Sequence, residues 1–276
     1  MLDNTHATAF EGKPEFIRTF IRDNGIQTIR GSFSTKADKD IIRENADAVY
    51  YKFNRFGELT FEYKTVYQDT LFILYVYDER SNVVIKRTAD KYGFQSLHYT
   101  YDSRNRVVRI DTRIEQNTGQ NIFLHVPDEF HITTTEKFEY EDIDERNYKK
   151  LYLNNSGIVY REEFFYFDEK NRLIKQEGYQ KSGSGKSIVE MTYDQQGRLI
   201  EKKAESSVMG NYATRYTYEY DAWGNIFSMK FYERDSYKTE FQYVYDSENK
   251  FLKAIIMRDA ATNLMTIVKY GLYTFY

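Results

Sequence analysis

The chain has 276 residues and a net charge of −3, so it can bury a sizeable core and offers no electrostatic footprint for nucleic acid or anionic lipid. It contains no cysteine, which excludes disulfides, thiolate metal sites and thiol nucleophiles. Aromatic residues make up 17 % of the chain, and proline occurs only twice. Tyr, Phe and Thr suit a pleated surface and scarce proline leaves ladder hydrogen bonds intact, so composition favours an all-β protein.

The N-terminal part carries three weak signals. Residues from about 14 to 34 contain Asp23-Asn24-Gly25, a strong short turn sequence, and predict a degenerate hairpin. Residues 34–48 are the only candidate helix. The first ten residues lack the basic and apolar segments of a secretory leader, so either the protein is cytoplasmic or a leader precedes residue 1. No apolar run is long enough for a transmembrane helix.

From about residue 50 to residue 256 the chain repeats one pattern seven times. An aromatic residue precedes Asp or Asn, then Gly, Asn or Ser follows three residues later and an apolar residue five residues later. Successive Asp or Asn positions lie 24 to 27 residues apart, except for a gap of 66 between Asp102 and Asp168. Self-similarity at a fixed period is the signature of a repeat architecture.

Each repeat predicts a tight turn in an antiparallel hairpin. The Asp or Asn side chain accepts backbone N–H groups beyond it, and Gly or Asn tolerates positive φ, which together describe a type I turn followed by a bulge. The strands alternate, as where Tyr216, Tyr218 and Tyr220 share one face, and looser turns such as residues 154–157 join the hairpins. The predicted structural turn residues are Asn54, Gly57, Asp78, Asp102, Asn105, Asp168, Asn171, Asp194, Gly197, Asp221, Gly224, Asp246 and Asn249.

The 66-residue gap predicts one degenerate repeat and one insertion. A turn anchored at Glu141 would lie 27 residues before Asp168, in register with the other repeats. The insertion then covers about residues 117–131. It contains His125, His131, Asp128 and Glu129, which could bind a divalent cation, although a polar surface loop is the favoured interpretation. We therefore predict no metal and no cofactor, and we expect His98 to be packed or hydrogen-bonded in a strand.

The stretch Lys181–Ser187 reads Lys-Ser-Gly-Ser-Gly-Lys-Ser and resembles part of a phosphate-binding loop. Such a loop needs a first glycine where this chain has Gln180, and a helix after Ser187 where the pattern is that of a strand. The stretch is therefore predicted to be a turn between strands. We found no Gly-x-Ser-x-Gly elbow and no other catalytic constellation, so we predict that the protein is not an enzyme.

The motifs Tyr-Thr-Tyr-Asp-Ser-Arg-Asn-Arg-Val from Tyr99, Met-Thr-Tyr-Asp-Gln-Gln-Gly-Arg-Leu from Met191 and Tyr-Glu-Tyr-Asp-Ala-Trp-Gly-Asn-Ile from Tyr218 resemble the YD repeats of the Rhs family of bacterial repeat proteins. The C-terminal segment also looks like the closing strand of secreted or lipid-anchored YD-repeat proteins of Bacteroidetes. This resemblance implies an all-β fold and a secreted or cell-envelope location, in the periplasm or on the outer surface. A cytoplasmic location stays open. No residue-level site transfers from the family.

About nine hairpins give seventeen or eighteen strands. Twisted open sheets rarely exceed about ten strands without curling, so we predict a long coiled or rolled meander of tandem antiparallel β-hairpins, in one domain spanning 1–276, with little or no helix. The C-terminal strand is expected to offer a free edge. Trp223 lies at a turn position where the repeat demands no core contact, and is expected either to cap a neighbouring layer or to be exposed.

The function predicted from these features is that of a non-catalytic binding or interaction module. A surplus of Tyr suits an aromatic groove for a glycan or an extended peptide, and hence a glycan or protein partner rather than nucleic acid. The alternatives are a carbohydrate-active enzyme and a purely structural or assembly component. The sequence identifies no ligand-binding residue and no oligomeric state.

Overall fold

The described residues form eighteen β-strands and one short helix. The computed structural model describes residues 1–4, 14–66, 69–90, 93–116, 129–208 and 212–276. The elements are α1 (Arg18–Asp23), β1 (Ile26–Lys36), β2 (Arg43–Phe53), β3 (Leu59–Val66), β4 (Asp69–Tyr77), β5 (Val83–Asp90), β6 (Gly93–Tyr101), β7 (Val107–Gln116), β8 (Glu129–Asp142), β9 (Tyr148–Leu153), β10 (Val159–Phe167), β11 (Leu173–Gln180), β12 (Lys186–Tyr193), β13 (Leu199–Ser206), β14 (Tyr212–Tyr220), β15 (Ile226–Glu233), β16 (Ser236–Tyr245), β17 (Leu252–Asp259) and β18 (Met265–Phe275).

The strands close into an 18-stranded antiparallel barrel. Each strand pairs with its neighbours in the chain, and β1 pairs with both β2 and β18. The predicted open, coiled or rolled meander is therefore wrong, and so is the free C-terminal edge, because β18 is paired on both sides. Hairpin patterns are local, whereas closure depends on a pairing between the two ends of the sheet, which removes both edges.

Side chains alternate between the interior and the outer wall, as a period of two requires. Val49, Tyr51 and Phe53 of β2 point inward and are almost fully buried. They belong to the main hydrophobic core, which also contains Met1, Leu2, Ile21, Ile26, Ile29, Met191, Leu199, Tyr218, Ile226, Met229, Tyr243, Leu252, Ile255 and Tyr270. The core thus occupies the interior between β12–β18, β1 and β2, and the N-terminal segment packs into it.

The outer wall of β11–β16 carries charged side chains in ion pairs. Lys175 lies 3.0 Å from Glu177, and Lys203 lies 3.0 Å from Glu201. A third pair joins Lys230 of β15 to Glu219 of β14 at 3.0 Å. These residues alternate with the inward core residues of the same strands. Charges on one face and apolar groups on the other make this part of the wall amphipathic, with its polar side outward.

The Asp and Asn turns share one geometry. At Asp194, the carboxylate accepts the N–H of Arg198 at 2.8 Å, while Gly197 donates its N–H to the Asp194 carbonyl and has a φ of +84°. The pairing of β12 with β13 shifts register beside this turn, between Thr192 and Tyr193. The turns that begin at Asn54, Asp78, Asp102, Asp168 and Asp221 have the same backbone bonds, with positive φ at Gly57, Ser81, Asn105, Asn171 and Gly224. All of them connect an even-numbered strand to the next, so they lie at one end of the barrel, which we call the Asp-turn end.

Two further side chains of the repeat join neighbouring hairpins at this end. Tyr193 donates its hydroxyl to the carbonyl of Leu173 at 2.7 Å, and Arg172 lies 4.7 Å from the centre of the Tyr193 ring while pairing with Asp168. Equivalent hydroxyl bonds are made by Tyr77, Tyr101, Tyr140, Tyr220, Tyr245 and Tyr273 to the carbonyls of Leu59, Val83, Val107, Leu199, Ile226 and Leu252. Where the aromatic residue of the repeat is Tyr, its hydroxyl therefore donates a hydrogen bond to a backbone carbonyl of the preceding hairpin.

Some predicted turns differ in the structure. The last turn is one residue longer, so Lys250 rather than Asn249 has positive φ. The degenerate repeat turns at Asp144, not at Glu141, because β8 continues through Asp142 and Asp144 accepts the N–H groups that define the turn. The turn at Asn154, predicted to be loose, has the same bonds as the Asp turns but lies at the opposite end.

The N-terminal predictions also need correction. Asp23-Asn24-Gly25 ends α1 instead of closing a hairpin, since the N–H of Asn24 bonds to the Phe20 carbonyl and Gly25 has a φ of +61°. Residues 34–48 are not helical, because β1 and β2 pair across this part of the chain. Within the described ranges, no helix has the length and apolarity needed to cross a membrane.

The aromatic residues of α1 and its flanks anchor the N-terminal segment. The Phe16 ring lies edge-on to Tyr51 at 5.1 Å and to Phe53 at 5.4 Å. Phe20 contacts Phe251 in the same manner at 5.9 Å. The segment therefore packs into the interior near the Asp-turn end.

Candidate ligand-binding cavity

A cavity of about 490 Å³ lies inside the barrel, between β1–β5 on one side and β16–β18 on the other. The inward side chains that line it are Pro14, Phe33, Val49, Tyr51, Glu62, Lys64, Leu71, Ile73, Lys86, Phe241, Tyr243, Ile255, Met257, Thr266, Val268 and Tyr270. Its size is within the range of small-molecule sites, and such sites are mostly apolar with a few polar groups. The chain thus forms a largely apolar chamber with few charges.

The strand register determines which side chains reach this chamber. Tyr51 pairs with Glu62, and Glu62 pairs with Ile73, so the three lie side by side on the inner face of β2, β3 and β4. Gly31 of β1 faces Val49 and Tyr270, and a Cβ added there would lie 2.9 Å from a Val49 methyl carbon. The missing side chain lets Val49 and Tyr270 approach one another and close the wall.

Tyrosines form the deep wall of the cavity. Tyr51, Tyr243 and Tyr270 are almost fully buried. Burial raises the pKa of the Tyr51 hydroxyl well above its ordinary value, and it does the same for Tyr270. These phenols stay neutral at any physiological pH, so the deep wall adds no charge to the site.

Among the described residues, the charged groups of the lining are Glu62, Lys64 and Lys86. Glu62 is 6 % exposed and accepts a hydrogen bond from the Tyr75 hydroxyl at 2.7 Å. Burial, followed by the nearby Glu62 carboxylate, raises the pKa of Tyr75. Tyr75 therefore keeps its proton and donates this hydrogen bond to Glu62 over the whole physiological pH range.

The two lysines have no carboxylate partner within 4 Å among the described residues. Lys64 lies toward the mouth of the chamber, near the end of β3, and its ammonium group is 5.7 Å from the centre of the Phe33 ring. Lys86 lies on the inner face of β5, opposite Tyr75. Both side chains belong to the lining of the chamber.

A second cavity of about 550 Å³ adjoins the first and shares Phe241 and Met257 with it. Its other lining residues belong to the inner face of β12–β16, among them Val189, Met229 and Phe231. Its lining also includes Lys202, Tyr212 and Thr214, so this part of the inner face carries both polar and apolar side chains.

None of the predicted turn residues lines the main cavity, because all of them lie at the Asp-turn end. Pattern analysis missed the cavity residues, since an inward Glu or Lys in a strand looks like any other polar position. One signal was present: Glu62 and Lys64 pair with the inward Tyr51 and Val49, so two charged residues interrupt an apolar inner face.

The histidine prediction can be tested only in part. His125 and Asp128 lie outside the described residues, while His131 and Glu129 are exposed on β8. The described ranges contain no group of three or more residues that could hold a metal ion. His98 lies on the outer face of β6, hydrogen-bonded to Ser96 at 3.0 Å, and burial lowers its pKa.

Trp223 is 69 % exposed at its turn. The Lys250 ammonium group lies 3.7 Å from the centre of the indole ring, so the side chain joins two neighbouring turns by a cation–π contact. Lys186, of the glycine-rich stretch, begins β12 and points outward to Glu177 at 3.4 Å. The turn before it is followed by a strand and not by a helix N-terminus.

Comparisons with known proteins give only distant likenesses. No protein-family profile and no curated protein matches the sequence. A porin-like protein from Bacteroides uniformis superposes with a TM-score of 0.38 and 12 % identity over 90 % of this chain and 98 % of that one. A porin-like protein from Bacteroides vulgatus superposes with a TM-score of 0.34 and 8 % identity, over 87 % of this chain and 96 % of that one. A LolA superfamily protein from Nitrosomonas europaea superposes with a TM-score of 0.25 and 11 % identity, over 94 % of this chain and 91 % of that one.

The resemblance to the YD-repeat family is wrong. The sequence matches no family profile, and the repeats build a closed barrel instead of the rolled sheet that this family implied. The shared pattern of aromatic residue, Asp and Gly has a local physical cause in the turn and in the tyrosine hydroxyl bond. Any barrel built from such hairpins can therefore carry the motif without belonging to that family.

Proposed function

We propose that this protein is a non-catalytic binding protein that holds its ligand inside the barrel. The observation that carries the proposal is a largely apolar interior chamber whose two inward lysines have no carboxylate partner among the described residues. Among the described residues that line the main cavity, Glu62 alone is acidic. Glycoside hydrolysis normally needs two carboxyl groups about 5–9.5 Å apart, so the chamber does not favour the carbohydrate-active alternative.

We further propose that the barrel works in water and not as a pore through lipid. An outer-membrane barrel presents an apolar band to lipid, and an Arg or Lys at the bilayer midplane costs about 2–4 kcal/mol. Lys175, Lys203 and Lys230 instead lie on the outer wall. An aqueous compartment of the cell envelope agrees with this polarity, and fractionation of cells expressing the tagged chain tests that location.

The binding test uses N-phenyl-1-naphthylamine, a neutral apolar probe that becomes fluorescent when it leaves water. We expect the intact chain to bind it with saturation. Ile73→Trp fills the chamber and is expected to reduce binding at least tenfold. Leu74→Trp is the matched control, because the next residue of β4 points to the outer wall. Equal loss in both variants, or no saturable binding to the intact chain, would contradict the proposal.

A second candidate is glycan binding on the outer wall. Tyr50, Tyr63 and Phe72 are half-buried neighbours there, with Tyr50 and Tyr63 stacked at 5.3 Å, and the buried Phe61 packs beside Phe72 at 6.1 Å. Aromatic faces of this kind can stack on sugars. A glycan array with the intact chain and with Tyr63→Ala tests it, and binding that survives the substitution would reject this surface.

A further inference from the structure

We propose that the outer wall of β16, β17, β18, β1 and β2 docks on an anionic lipid surface, which the protein touches from the water side without crossing it. We call this part of the barrel the Arg30 wall. It is defined by the outward side chains of Arg30, Lys52, Lys269, Tyr50, Val244 and Leu272. It lies outside the chamber, so this inference does not depend on the proposed ligand binding.

Positive charge is concentrated on this wall, although the chain as a whole is negative. β17, β18 and β1 together contain five Lys and Arg residues and a single Asp, whereas the net charge of the chain is −3. Arg30, Lys52 and Lys269 are exposed, and none of them forms an ion pair or a side-chain hydrogen bond with a described residue. An anionic partner therefore meets these cations without first breaking an ion pair.

The strand register places the three cations side by side. Lys269 of β18 pairs with Ser32, two residues after Arg30 on β1. Lys52 of β2 pairs with Thr28, two residues before Arg30. The cations therefore follow a diagonal across three neighbouring strands, where diagonal neighbours lie about 7–8 Å apart. This spacing makes one compact patch of charge.

Exposed apolar side chains lie among these cations. Leu272 is 63 % exposed and pairs with Arg30, and Val244 is 42 % exposed in the same row as Lys269. The half-buried Tyr50 pairs with Arg30 on its other side. A lipid surface takes up all three kinds of side chain, because apolar groups enter the acyl boundary, Tyr lies at the headgroups and Lys and Arg attract anionic lipids.

The other outward residues of these rows are small. Ser32 and Ala48 lie in the row of Lys269, and Thr28 lies in the row of Lys52. The three cations and the exposed leucine therefore stand above the wall and meet a flat surface first. A membrane offers anionic headgroups over an apolar layer, whereas a soluble acidic chain offers charge alone and leaves the leucine in water. The observations thus favour lipid.

The test measures binding of the intact chain to sucrose-loaded vesicles by sedimentation. Vesicles of phosphatidylcholine with about one-third phosphatidylglycerol are compared with vesicles of phosphatidylcholine alone, below and above physiological ionic strength. We expect binding to the anionic vesicles to be at least tenfold tighter and to weaken as the salt concentration rises.

The variant Arg30→Gln/Lys52→Gln/Lys269→Gln removes the cations of the wall. We expect its binding to anionic vesicles to fall about 100-fold, since each Lys or Arg near an anionic surface contributes about fivefold. Circular dichroism and thermal denaturation show whether the variant keeps the fold.

The matched control is Lys175→Gln/Lys203→Gln/Lys230→Gln, which removes the same charge from ion pairs elsewhere on the outer wall. We expect this variant to bind anionic vesicles as the intact chain does. Equal losses in the two triple variants would show that net charge alone attracts the protein, and would overturn the Arg30 wall.

Leu272→Ser separates a lipid surface from a soluble acidic chain. We expect it to bind anionic vesicles about tenfold more weakly with an unchanged salt dependence, because one apolar side chain is lost from the contact. Ile158→Ser is its matched control, since Ile158 is also 63 % exposed but lies at a turn away from the wall.

The remaining outcomes are distinct from those of the chamber. No preference for anionic vesicles overturns the docking proposal, whatever the naphthylamine probe does in the interior. Binding to poly-L-glutamate as tight as to anionic vesicles, with no effect of Leu272→Ser, would identify an acidic chain as the partner and overturn the lipid. We expect all these variants to bind the naphthylamine probe as the intact chain does.

Discussion

The hydroxyl of Tyr193 donates a hydrogen bond to the carbonyl of Leu173, 20 residues earlier in the chain, at 2.7 Å. Leu173 begins β11 just after one Asp turn, and Tyr193 ends β12 just before the next. The bond therefore links two successive turns. It explains why the residue before Asp is so often Tyr, whereas packing alone would be satisfied by Phe.

We predict that Tyr193→Phe lowers the free energy of unfolding by about 0.5–1.5 kcal/mol, because the Leu173 carbonyl loses a partner while the ring packing is kept. Urea denaturation measures the change. Tyr212→Phe is the matched control, since Tyr212 is exposed at the far end of β14, and its substitution should have little effect. A loss for Tyr193→Phe no larger than that for Tyr212→Phe would mean that the hydroxyl bond does not stabilise the barrel.

A pair of glycines separates backbone strain from the docking of α1. Gly57 and Gly224 have nearly equal φ values of +80° and +83°. A Cβ at Gly224 would meet nothing within 4 Å, but a Cβ at Gly57 would lie 2.2 Å from the carbonyl oxygen of Arg18. We predict that Gly224→Ala costs about 1–2 kcal/mol from the left-handed backbone alone.

We predict that Gly57→Ala costs about 1–3 kcal/mol more than Gly224→Ala, because α1 must shift away from the turn. Both costs are read from thermal or urea denaturation of the two variants. Similar values for the two would show that α1 does not press on the turn at Gly57.

The hairpins could be predicted from the sequence, but the closure of the sheet into a barrel could not. Asp194 and Gly197 define their turn within four residues, so this turn can be predicted from a short stretch of sequence. By contrast, the pairing of Phe33 with Val268 joins residues that no short pattern relates. The inward position of Lys64 depends on the same register, which is why the candidate site was not predicted from the sequence.

We predict that Asp246 stays ionised to unusually low pH. A hydrogen bond from Lys253, at 2.7 Å, and the N–H groups of Glu248 and Asn249 lower its pKa from 3.8 to about 2. Because the pKa is lower in the folded state, the stabilisation is complete above about pH 4 and is lost as the pH falls toward 2. NMR titration of the Asp246 carboxyl carbon measures the pKa directly.

Lys253→Met should raise the Asp246 pKa toward its ordinary value, since it removes the largest contribution. Lys230→Met is the control, because Lys230 pairs with Glu219 and should leave Asp246 unchanged. An Asp246 pKa that does not move in Lys253→Met would refute the assignment.

We predict that Lys186 has no role in nucleotide binding. Its side chain contacts Glu177 and the Tyr179 ring, and the residue belongs to a strand. Equilibrium dialysis with ATP and Mg²⁺ should show no binding that depends on this side chain. Micromolar binding that disappears in Lys186→Ala would show that the turn at residues 181–185 holds phosphate after all.

The pairing of β1 with β18 has a consequence for synthesis on the ribosome. Tyr276 donates its backbone N–H to the carbonyl of Gly25, so the seam of the barrel joins residues 251 positions apart. Each hairpin can form as it emerges, but the seam must wait for the last strand to leave the exit tunnel. Until then β1 and the newest strand are both unpaired edges, so a nascent chain stalled before residue 265 presents two templates for association with other chains.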